Sequence, residues 1–396
     1  MNTNPVDLFT VFDYGLGGLD WQSWVDKYNE KYDILDVDGF VFQPTRLNYT
    51  YAQLIAQTGA KSLPTWVDPD AQGYEASLSG ASGTTGNIPT MKRYYRINRT
   101  ILNEKYQLIQ RYGNAVLDSN MQDVFMGLVD ESTDGLIGSY RNALTHERNQ
   151  IVSNGKFSLN SINNPRGLQG IQLDFGIDQT HFDTLTTSAR WWTNADHSTE
   201  GTTSDPLEYL KQRVKAIRKT FHYLGQLKME LSQDLWDDML THSKVRERLA
   251  IYFYPTTTDS ATRLSAIQDK DDAAFKDAIQ RIIKVDSIVI KESYAWVDAP
   301  GTNSDGDPDL VPTRIDNFNP LNVAFVPLGI QLGDIQGVSP LAVGIDVDKV
   351  AYFDTDRFLV TQYTNPKTKS IYVEGEAAQL CVPSVPQWMF ISTVTV

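Results

Sequence analysis

The sequence predicts an α+β fold, with helices in the early and middle parts of the chain and strands mostly towards its end. In two long segments, apolar residues recur every three or four positions, which is the spacing of a helix with one buried face. The tail instead alternates turns with short strand-like runs, such as "NVAFVPLG" and "DRFLVTQYTN". Helices and strands that are separated along the chain in this way are typical of the α+β class.

The composition indicates a globular protein and argues against several other classes. Of the 396 residues, 41% are hydrophobic and 21% are charged, which is enough apolar material to build a core. The formal net charge of −14 argues against a protein whose main function is to bind nucleic acid. Cys381 is the single cysteine, so an internal disulfide framework is excluded and a reducing compartment is favoured.

Neither a signal peptide nor a membrane span is expected. The start "MNTNPVDLFTVFDYG" has no basic region followed by a long apolar region. No stretch reaches the roughly 18 uninterrupted apolar residues of a membrane-spanning helix. We therefore expect a cytoplasmic setting.

Two segments near the start are expected to pack on something larger than themselves. In the first, Trp21, Trp24 and Tyr28 share one face at helical spacing. In the second, residues 60–98, "KSLPTWVD" and "IPTMKRYYRIN" are expected to form the two arms of a long hairpin. The run "QGYEASLSGASGTTGN" between them buries too little to order itself, so we expect a mobile tip. Such a hairpin cannot close its own core and is expected to lie on a neighbour.

The longest predicted helix spans residues 118–153, and "SNG" at 153–155 provides a glycine stop. Gly127, Gly135 and Gly138 lie inside it, and each costs about 1 kcal/mol relative to alanine. We therefore expect a bent or interrupted helix. Its predicted buried stripe consists of Phe125, Leu128, Val129, Leu136, Tyr140 and Leu144.

The most regular amphipathic pattern predicts a helix from residue 206 to 224. Ser204 or Asp205 can cap it, Pro206 suits its first position, and Gly225 is expected to end it. The apolar spacing is 3, 4, 3, 4, 3 over Leu207, Leu210, Val214, Ile217, Phe221 and Leu224.

The chain after this helix is expected to mix short strands with helices. "KMEL" predicts a strand, and Ser232 can cap a following helix that carries Asp234 in its first turn. A further helix is predicted at 270–283, and "VDSIVIKESYAWV" is expected to be one strand. Four more strands are expected in the tail, in "NVAFVPLG", "DRFLVTQYTN", "KSIYVEGEAAQL" and "QWMFISTVTV".

Known catalytic motifs are missing from the sequence. It contains no phosphate-binding loop, no H-E-x-x-H pair and no G-x-S-x-G elbow. In "DGDPDL" the residues Asp305, Asp307 and Asp309 alternate as in a calcium loop, but Leu310 stands where that loop needs glycine. A solvated acidic loop is the favoured interpretation. We expect no enzymatic activity and no catalytic, cofactor-binding or metal-binding residues.

Three carboxylates raise the question of an acidic site. Asp234, Asp237 and Asp238 lie at i, i+3 and i+4, so they share one face of a helix. Acid/base catalysis needs two carboxyl groups in different environments, whereas three on one turn share an environment and repel each other. A solvated helix face is therefore favoured over an intersubunit contact or a catalytic role.

Two other groups of residues have alternative interpretations. "WW" at 191–192 could stack on a sugar ring, but a core or interface anchor is favoured. Lys211, Lys215 and Arg218 form a basic stripe opposite the apolar face of their helix. Such a stripe is usually solvated, and it could also meet phosphates or an acidic neighbour.

The order of these segments resembles the tailed-phage major capsid proteins of the Hong Kong 97 fold, nearest to the branch typified by the lambda-type capsid protein E. In that family a helix is followed by a turn, a short strand and a small polar cap that opens a helix with a Trp. Here these parts are Gly225, "KMEL", Ser232 and Trp236. The ending "GEAAQLCVPSVPQWMFISTVTV" resembles the family's final turn, proline-spaced segment and strand.

The resemblance implies a capsid subunit that self-assembles into an icosahedral head shell around the double-stranded DNA of a tailed bacteriophage. It implies an N-terminal arm (1–50), an extended loop hairpin across an adjacent subunit (51–100) and a peripheral domain with a spine helix (101–205). It further implies an axial domain (206–385) and a last strand that returns to the peripheral domain (386–396). The intersubunit loop tip would comprise Tyr74, Glu75, Leu78, Gly80, Gly83 and Gly86.

The implied partners are other copies of the chain, in hexamers and pentamers. Scaffold, portal and decoration proteins are further candidates, packaged DNA lies nearby without specific binding, and no membrane is involved. The implied location is the virion capsid, assembled in the bacterial host cytoplasm. Two alternatives remain open: a carbohydrate-active enzyme or glycan-binding module, suggested by the 8 Trp, 19 Tyr and many acidic residues, and another virion structural protein such as a decoration subunit.

Overall fold

The structure is a computed structural model of the chain. It describes residues 36–46, 50–56, 81–97, 135–167, 169–257, 259–302, 308–340, 349–353, 357–365 and 370–396. Helices and strands both occur in these ranges, which confirms the α+β class.

The helices of the described residues lie in the middle of the chain. In chain order they are α1 (Leu136–Asn154), α2 (Pro206–Lys219), α3 (Gln233–Thr241), α4 (Ser243–Phe253), α5 (Ser260–Ala266) and α6 (Asp272–Ile283).

Strands occur before, between and after these helices. Those up to the middle of the chain are β1 (Asp36–Val37), β2 (Phe40–Phe42), β3 (Thr50–Ala56), β4 (Ala81–Asn87), β5 (Thr90–Ile97), β6 (Lys156–Leu159), β7 (Ile171–Asp174), β8 (Phe182–Thr184) and β9 (Leu227–Ser232). The later ones are β10 (Ser287–Lys291), β11 (Tyr294–Thr302), β12 (Pro308–Asp316), β13 (Asn322–Pro327), β14 (Gly333–Val338), β15 (Lys349–Phe353), β16 (Phe358–Asn365), β17 (Ser370–Pro383) and β18 (Phe390–Thr393).

The chain divides into two compact units. The first comprises residues 1–52, 85–145 and 333–382, and the second comprises 53–84, 146–332 and 383–396. β17 pairs with β5 and β16 in the first unit, whereas β18 pairs with β13 and β8 in the second.

A seven-stranded sheet organises the first unit, with the order β1-β2-β14-β17-β16-β15 and with β5 also paired to β17. Tyr140 of α1 is buried against it and donates a hydrogen bond to the carbonyl of Gly375 in β17. A Cβ at residue 375 would lie 2.8 Å from the Tyr140 hydroxyl oxygen, so this close approach requires glycine.

A five-stranded sheet with the order β10-β9-β13-β18-β8 organises the second unit. Its two faces follow from the alternation of side chains along each strand. One face contributes Met229, Ile288, Phe325 and Phe390 to an apolar core, which is completed mainly by α2, α3, α4 and α6. Glu230 of β9 points to the opposite face.

The described part of the longest predicted helix is continuous from residue 136 to 154, and Gly138 lies buried inside it. The stripe residues Leu136, Tyr140 and Leu144 are buried, which confirms that part of the pattern. Residues 118–134, which include Phe125, Leu128 and Val129, lie outside the described residues.

The predicted end of the second helix is wrong. Asp205 caps α2 and Pro206 opens it as expected, but the helix ends at Lys219 rather than at residue 224. His222 has a φ of 57°, a left-handed conformation that cannot continue a right-handed helix, so the chain turns before Gly225. As a result Leu224 is 84% exposed, whereas Leu210 is fully buried.

The prediction of a single strand in "VDSIVIKESYAWV" is also wrong, because the strand conformation is interrupted between β10 and β11. Ser293, at the break, is buried, and its backbone oxygen accepts a hydrogen bond of 2.8 Å from the Asn317 N–H. β11 then turns away from the sheet and pairs with β12 as a separate hairpin. The expected acidic loop "DGDPDL" straddles this hairpin: residues 303–307 lie outside the described residues, and β12 begins at Pro308.

The expected extended hairpin is only partly described. Residues 57–80, which include the arm "KSLPTWVD", lie outside the described residues, as does the predicted face of Trp21, Trp24 and Tyr28. The arm "IPTMKRYYRIN" contains β5, which pairs with β17. Residues 81–87 were expected in the tip, but they form β4 and pair with β3, because their backbone groups enter a strand ladder.

We predict that Leu210→Ala and Leu224→Ala have very different effects, although both residues belong to the same sequence stripe. Leu210→Ala leaves a cavity in the core of the second unit and is expected to lower the free energy of unfolding by roughly 2–5 kcal/mol. Leu224→Ala is expected to change it by less than about 0.5 kcal/mol, because the side chain is already in solvent. Denaturant unfolding of the free subunit measures both values, and equal losses would contradict the observed end of α2.

Candidate functional site

A buried charge cluster lies on the second face of the five-stranded sheet. Arg148 of α1 and Glu230 of β9 are both fully buried and form a bidentate ion pair, with 2.7 Å from Nη2 to Oε1. Lys228, two residues earlier on β9, places its Nζ 2.7 Å from Oε1 of the same carboxylate. Asn149 adds its Oδ1 at 3.1 Å from Arg148 Nη1.

The ionisation of Glu230 follows from these neighbours. Burial alone raises the pKa of this carboxyl, but the charges and hydrogen bonds of Arg148 and Lys228 outweigh that effect, so the pKa lies below its ordinary value. Glu230 is therefore a carboxylate that two cations hold in place. A carboxyl without a free oxygen or a route to solvent is suited to structure rather than to proton transfer.

A Ser, His and Glu cluster around the start of α4 has the residue types of a hydrolase triad. Ser204 Oγ lies 2.5 Å from His242 Nε2, and Glu200 Oε2 lies 3.8 Å from the same nitrogen. However, His242 Nδ1 accepts a hydrogen bond of 3.2 Å from the Lys244 N–H, which makes His242 the N-cap of α4.

The position of the proton on His242 excludes the role of a general base towards Ser204. Burial lowers the pKa of His242 more than Glu200 and Asp205 raise it, so the ring is neutral. Since Nδ1 accepts a hydrogen bond, the single ring proton is on Nε2, and Nε2–H donates to Ser204 Oγ. Ser204 and His242 are also both buried, so the hydroxyl is neither activated nor accessible.

The three carboxylates of α3 lie on its polar side, as predicted. Asp237 is exposed. Partial desolvation of its carboxyl and the nearby charges of Asp272, Asp234 and Asp238 nevertheless raise its pKa, despite a hydrogen bond from Gln233. Asp238 pairs with His197 Nδ1, and Asp234 Oδ2 lies 4.0 Å from Arg314 Nη2. The three groups thus have separate partners and do not converge on a common point.

The basic stripe lies on the outer side of α2. Lys211 Nζ lies 3.8 Å from Glu208 Oε2, and Arg218 Nη2 lies 3.7 Å from Asp286 Oδ2. Lys215 is exposed between them. Two of the three cations therefore have acidic neighbours on their own subunit, which lowers the charge that the stripe presents.

The remaining candidates have structural positions. Trp191 and Trp192 are 0% and 6% exposed and belong to the core of the second unit, so they are core anchors that cannot stack on a sugar. Cys381 is buried, with its Sγ 3.7 Å from the Leu144 oxygen. Of the expected loop tip, Gly83 and Gly86 lie in β4, whereas Tyr74, Glu75, Leu78 and Gly80 lie outside the described residues.

The described residues contain neither a candidate metal site nor a candidate membrane-spanning helix. In that part of the chain, no group of three or more His, Cys, Asp or Glu side chains could hold a metal ion. No helix there combines the length and the hydropathy needed to cross a membrane.

Sequence reasoning missed two features that only the structure brings together. Arg148 and Glu230 are 82 positions apart, and neither stands in a pattern that marks it as buried. The β11/β12 hairpin was missed because "DGDPDL" was interpreted as a solvated loop and "YAWV" as the end of the preceding strand. The alternation in "YAWVDAPGT", followed by the prolines of "PDLVPTRID", was the available signal.

Comparison with known proteins identifies the family. The family model described as phage major capsid protein E matches residues 25–394, and the chain belongs to this family. Its function is that of a shell-forming structural protein of a bacteriophage capsid, as the sequence resemblance implied.

Similar solved structures come from phages and prophages. A phage-related protein from Bordetella bronchiseptica RB50 is 15% identical, with a TM-score of 0.45 over 93% of this chain and 95% of that chain. A putative prophage capsid protein from E. coli CFT073 is 12% identical, with a TM-score of 0.45 over 98% and 99%. A chain of the mature capsid of bacteriophage PhiM1 is 10% identical, with a TM-score of 0.41 over 90% and 86%. No curated protein matches the chain.

We predict that Glu230→Gln strongly destabilises the subunit, because it leaves the buried charges of Arg148 and Lys228 without a counter-charge. The expected loss is roughly 3–5 kcal/mol in the free energy of unfolding. Glu208→Gln is the matched control: Glu208 also pairs with two cations, Lys211 and Arg248, but at the surface, so roughly 0–1 kcal/mol is expected.

Comparing Glu230→Gln with the wild type also gives a pH test. The pKa of Glu230 is lower in the folded than in the unfolded chain, so its stabilisation is present above the unfolded pKa and is lost as the pH falls through the folded pKa. Denaturant unfolding at a series of pH values should show a smaller acid-induced loss for Glu230→Gln than for the wild type. Parallel pH curves for these two proteins would contradict the assignment.

Proposed function

We propose that the protein forms hexamers and pentamers that build the icosahedral head shell around the double-stranded DNA genome of a tailed bacteriophage. The observation that carries this proposal is the family match from residue 25 to 394. The clusters around Glu230 and His242 support it, since each consists of catalytic residue types that serve the fold instead. Closed rings of identical subunits are the expected product of a repeated contact between two different surfaces.

We further propose that residues 51–100 form the extended loop that lies across an adjacent subunit, with Tyr74, Glu75, Leu78, Gly80, Gly83 and Gly86 in the contact. The support is the sequence of residues 72–80, "QGYEASLSG", which is rich in Gly and Ser and has little apolar surface to bury. Residues 1–50 would be the N-terminal arm, 101–205 the peripheral domain with the spine helix, 206–385 the axial domain, and 386–396 the last strand, which returns to the peripheral domain.

Scaffold, portal and decoration proteins are candidates for further partners of such a shell. Assembly would take place in the host cytoplasm, consistent with a single, buried cysteine. The glycan-binding alternative has no support from the tryptophan pair, because both rings are in the core.

We predict that the purified protein, supplied with its scaffold if it needs one, assembles into shells or capsomers. Sedimentation and negative-stain microscopy would show them, and protein that stays monomeric at high concentration under these conditions would contradict the proposal.

Limited proteolysis of the same samples tests the loop. Cleavage within residues 72–88 is expected in free subunits and should slow markedly in shells.

We propose that the basic stripe of Lys211, Lys215 and Arg218 makes intersubunit ion pairs or faces the packaged DNA without sequence-specific binding. The observation in favour is that Lys215 is exposed between two paired cations on the outer side of α2. Phosphate contact alone carries no sequence information, and a shell holds the genome close without needing affinity.

Reversing the charge of all three residues to Glu is expected to leave folding intact and to lower shell yield or genome retention, with a defect that depends on salt. Assembly yield and DNA content measured over a range of salt concentrations test this. Wild-type values throughout would leave a solvated helix face as the only role. Lys244→Glu with Glu247→Lys is a suitable control, since it reverses an exposed pair on α4 without changing the net charge.

A further inference from the structure

The β11/β12 hairpin lacks a core of its own. It has nine antiparallel pairs, from Tyr294 opposite Asp316 to Thr302 opposite Pro308, and it forms a separate two-stranded sheet among the described strands. No residue of β11 is buried. On β12, Ile315 is buried near the base of the hairpin. A two-stranded hairpin alone is at best marginally stable in water, so this one is expected to gain contacts elsewhere.

The hairpin exposes large apolar side chains. Trp296 is 68% exposed and Leu310 is 44% exposed, and the strand register puts both on one face together with Tyr294 and Pro300. Contiguous exposed apolar side chains mark interaction sites, and tryptophan is prominent among the residues that dominate binding energy at protein interfaces.

The edges of the hairpin are unsuited to strand addition. Pro300 on β11 and Pro312 on β12 lack the N–H group that a further strand would use. A proline in each strand thus interrupts the row of backbone N–H donors along that edge of the hairpin. A partner therefore contacts the face that carries Trp296 rather than extending the sheet.

The base of the hairpin is held firmly in the second unit. Gln150 Nε2 of α1 donates hydrogen bonds of 2.9 and 3.0 Å to the backbone oxygens of Asp316 and Asn317. The Asp234 N–H donates to Ser293 Oγ at 2.9 Å, and the Arg314 guanidinium lies 3.0 Å from the centre of the Tyr294 ring. Trp296, close to this base, is therefore presented in a defined direction, which reduces the entropy lost on binding.

An apolar pocket of the same unit could receive an aromatic ring. It has a volume of about 200 Å³ and lies among α3, α4, α6 and the 3₁₀ turn at Ile267–Asp269. An apolar cavity of roughly 150 Å³ takes a benzene-sized group, so this pocket suits one larger ring. Its lining consists of Leu240, Thr241, Arg246, Leu249, Ile267, Gln268 and Phe275.

We propose that Trp296 of one subunit docks into this pocket on a second copy of the chain. The inference rests on the proposed function, in which copies of the chain contact each other. Charge complementarity favours this occupant: Asp298 lies on the Trp296 face, and Arg246 lines the pocket. Arg314, which lies opposite Trp296 on the same face, has Asp234 of its own subunit 4.0 Å away as a counter-charge. Because the hairpin and the pocket are different surfaces, each subunit can give one contact and receive one, which is the arrangement that closes a ring.

The test compares the subunit concentration at half-assembly for three single variants. Trp296→Ala removes the docked ring, and Thr241→Trp fills the pocket from its exposed rim; each is expected to raise that concentration about tenfold or more. Ile162→Ala is the matched control, since Ile162 is 69% exposed but lies outside both surfaces, and it should assemble like the wild type. Circular dichroism and thermal unfolding verify that each variant is folded.

A crosslinking arm tests the contact without removing the tryptophan. Subunits with Asp298→Cys are mixed with subunits that carry Gln268→Cys, so a disulfide between these two positions must join different copies. Cys381 is buried and adds little background. Disulfide-linked dimers in assembled material are expected.

The outcomes separate this inference from the proposed function. Wild-type assembly by Trp296→Ala and Thr241→Trp, an equal defect in Ile162→Ala, or shells without the disulfide would each overturn the docking while the capsid role stands. A wild-type protein that forms no oligomer would overturn the proposed function and the docking with it.

Discussion

The buried charge cluster of Arg148, Glu230 and Lys228 is the constraint on which the second unit depends. A carboxylate in the middle of a sheet is tolerated only if its counter-charges arrive from a definite direction, and Arg148 supplies one from α1. The position is reinforced further along the helix, where Ser153 accepts a hydrogen bond from the Asn322 side chain. Because desolvation offsets much of the attraction, we interpret the cluster as fixing where α1 lies on the sheet rather than as a large source of stability.

The polar clusters of this protein show why residue types alone do not define a site. Ser204, His242 and Glu200 are close enough to suggest a nucleophile and its base, yet the Lys244 N–H fixes the tautomer that donates to the serine. The same histidine caps α4 and closes the turn after α3. The hydrogen-bonding groups of His242 therefore cap helix ends. This fits a subunit of a phage capsid family, whose function depends on shape and contacts.

The surface of the second unit has features that contacts between subunits can use. The β11/β12 hairpin presents Trp296 on a face, while Pro300 and Pro312 interrupt its edges. Exposed strand edges invite uncontrolled pairing between copies, whereas a side chain that enters a pocket specifies one orientation. An assembling protein has to attract its own copies in one geometry and avoid all others, and this combination of face and edge meets both requirements.

The sequence by itself determined the α+β class, the start of α2, the strand β9, the cap of α3, and α6, because these depend on local spacing and capping. The order of these segments also resembled the capsid family to which the chain belongs. It also placed the carboxylates of α3 on a polar face. It did not determine that α2 ends at Lys219, since that depends on the left-handed backbone at His222. It could not reveal the Arg148–Glu230 pair or the separate hairpin at 294–316, because both arise from contacts between distant segments. Only the tertiary structure decides which polar residues are buried together, since the cost of burying a charge is met by partners that are remote in sequence.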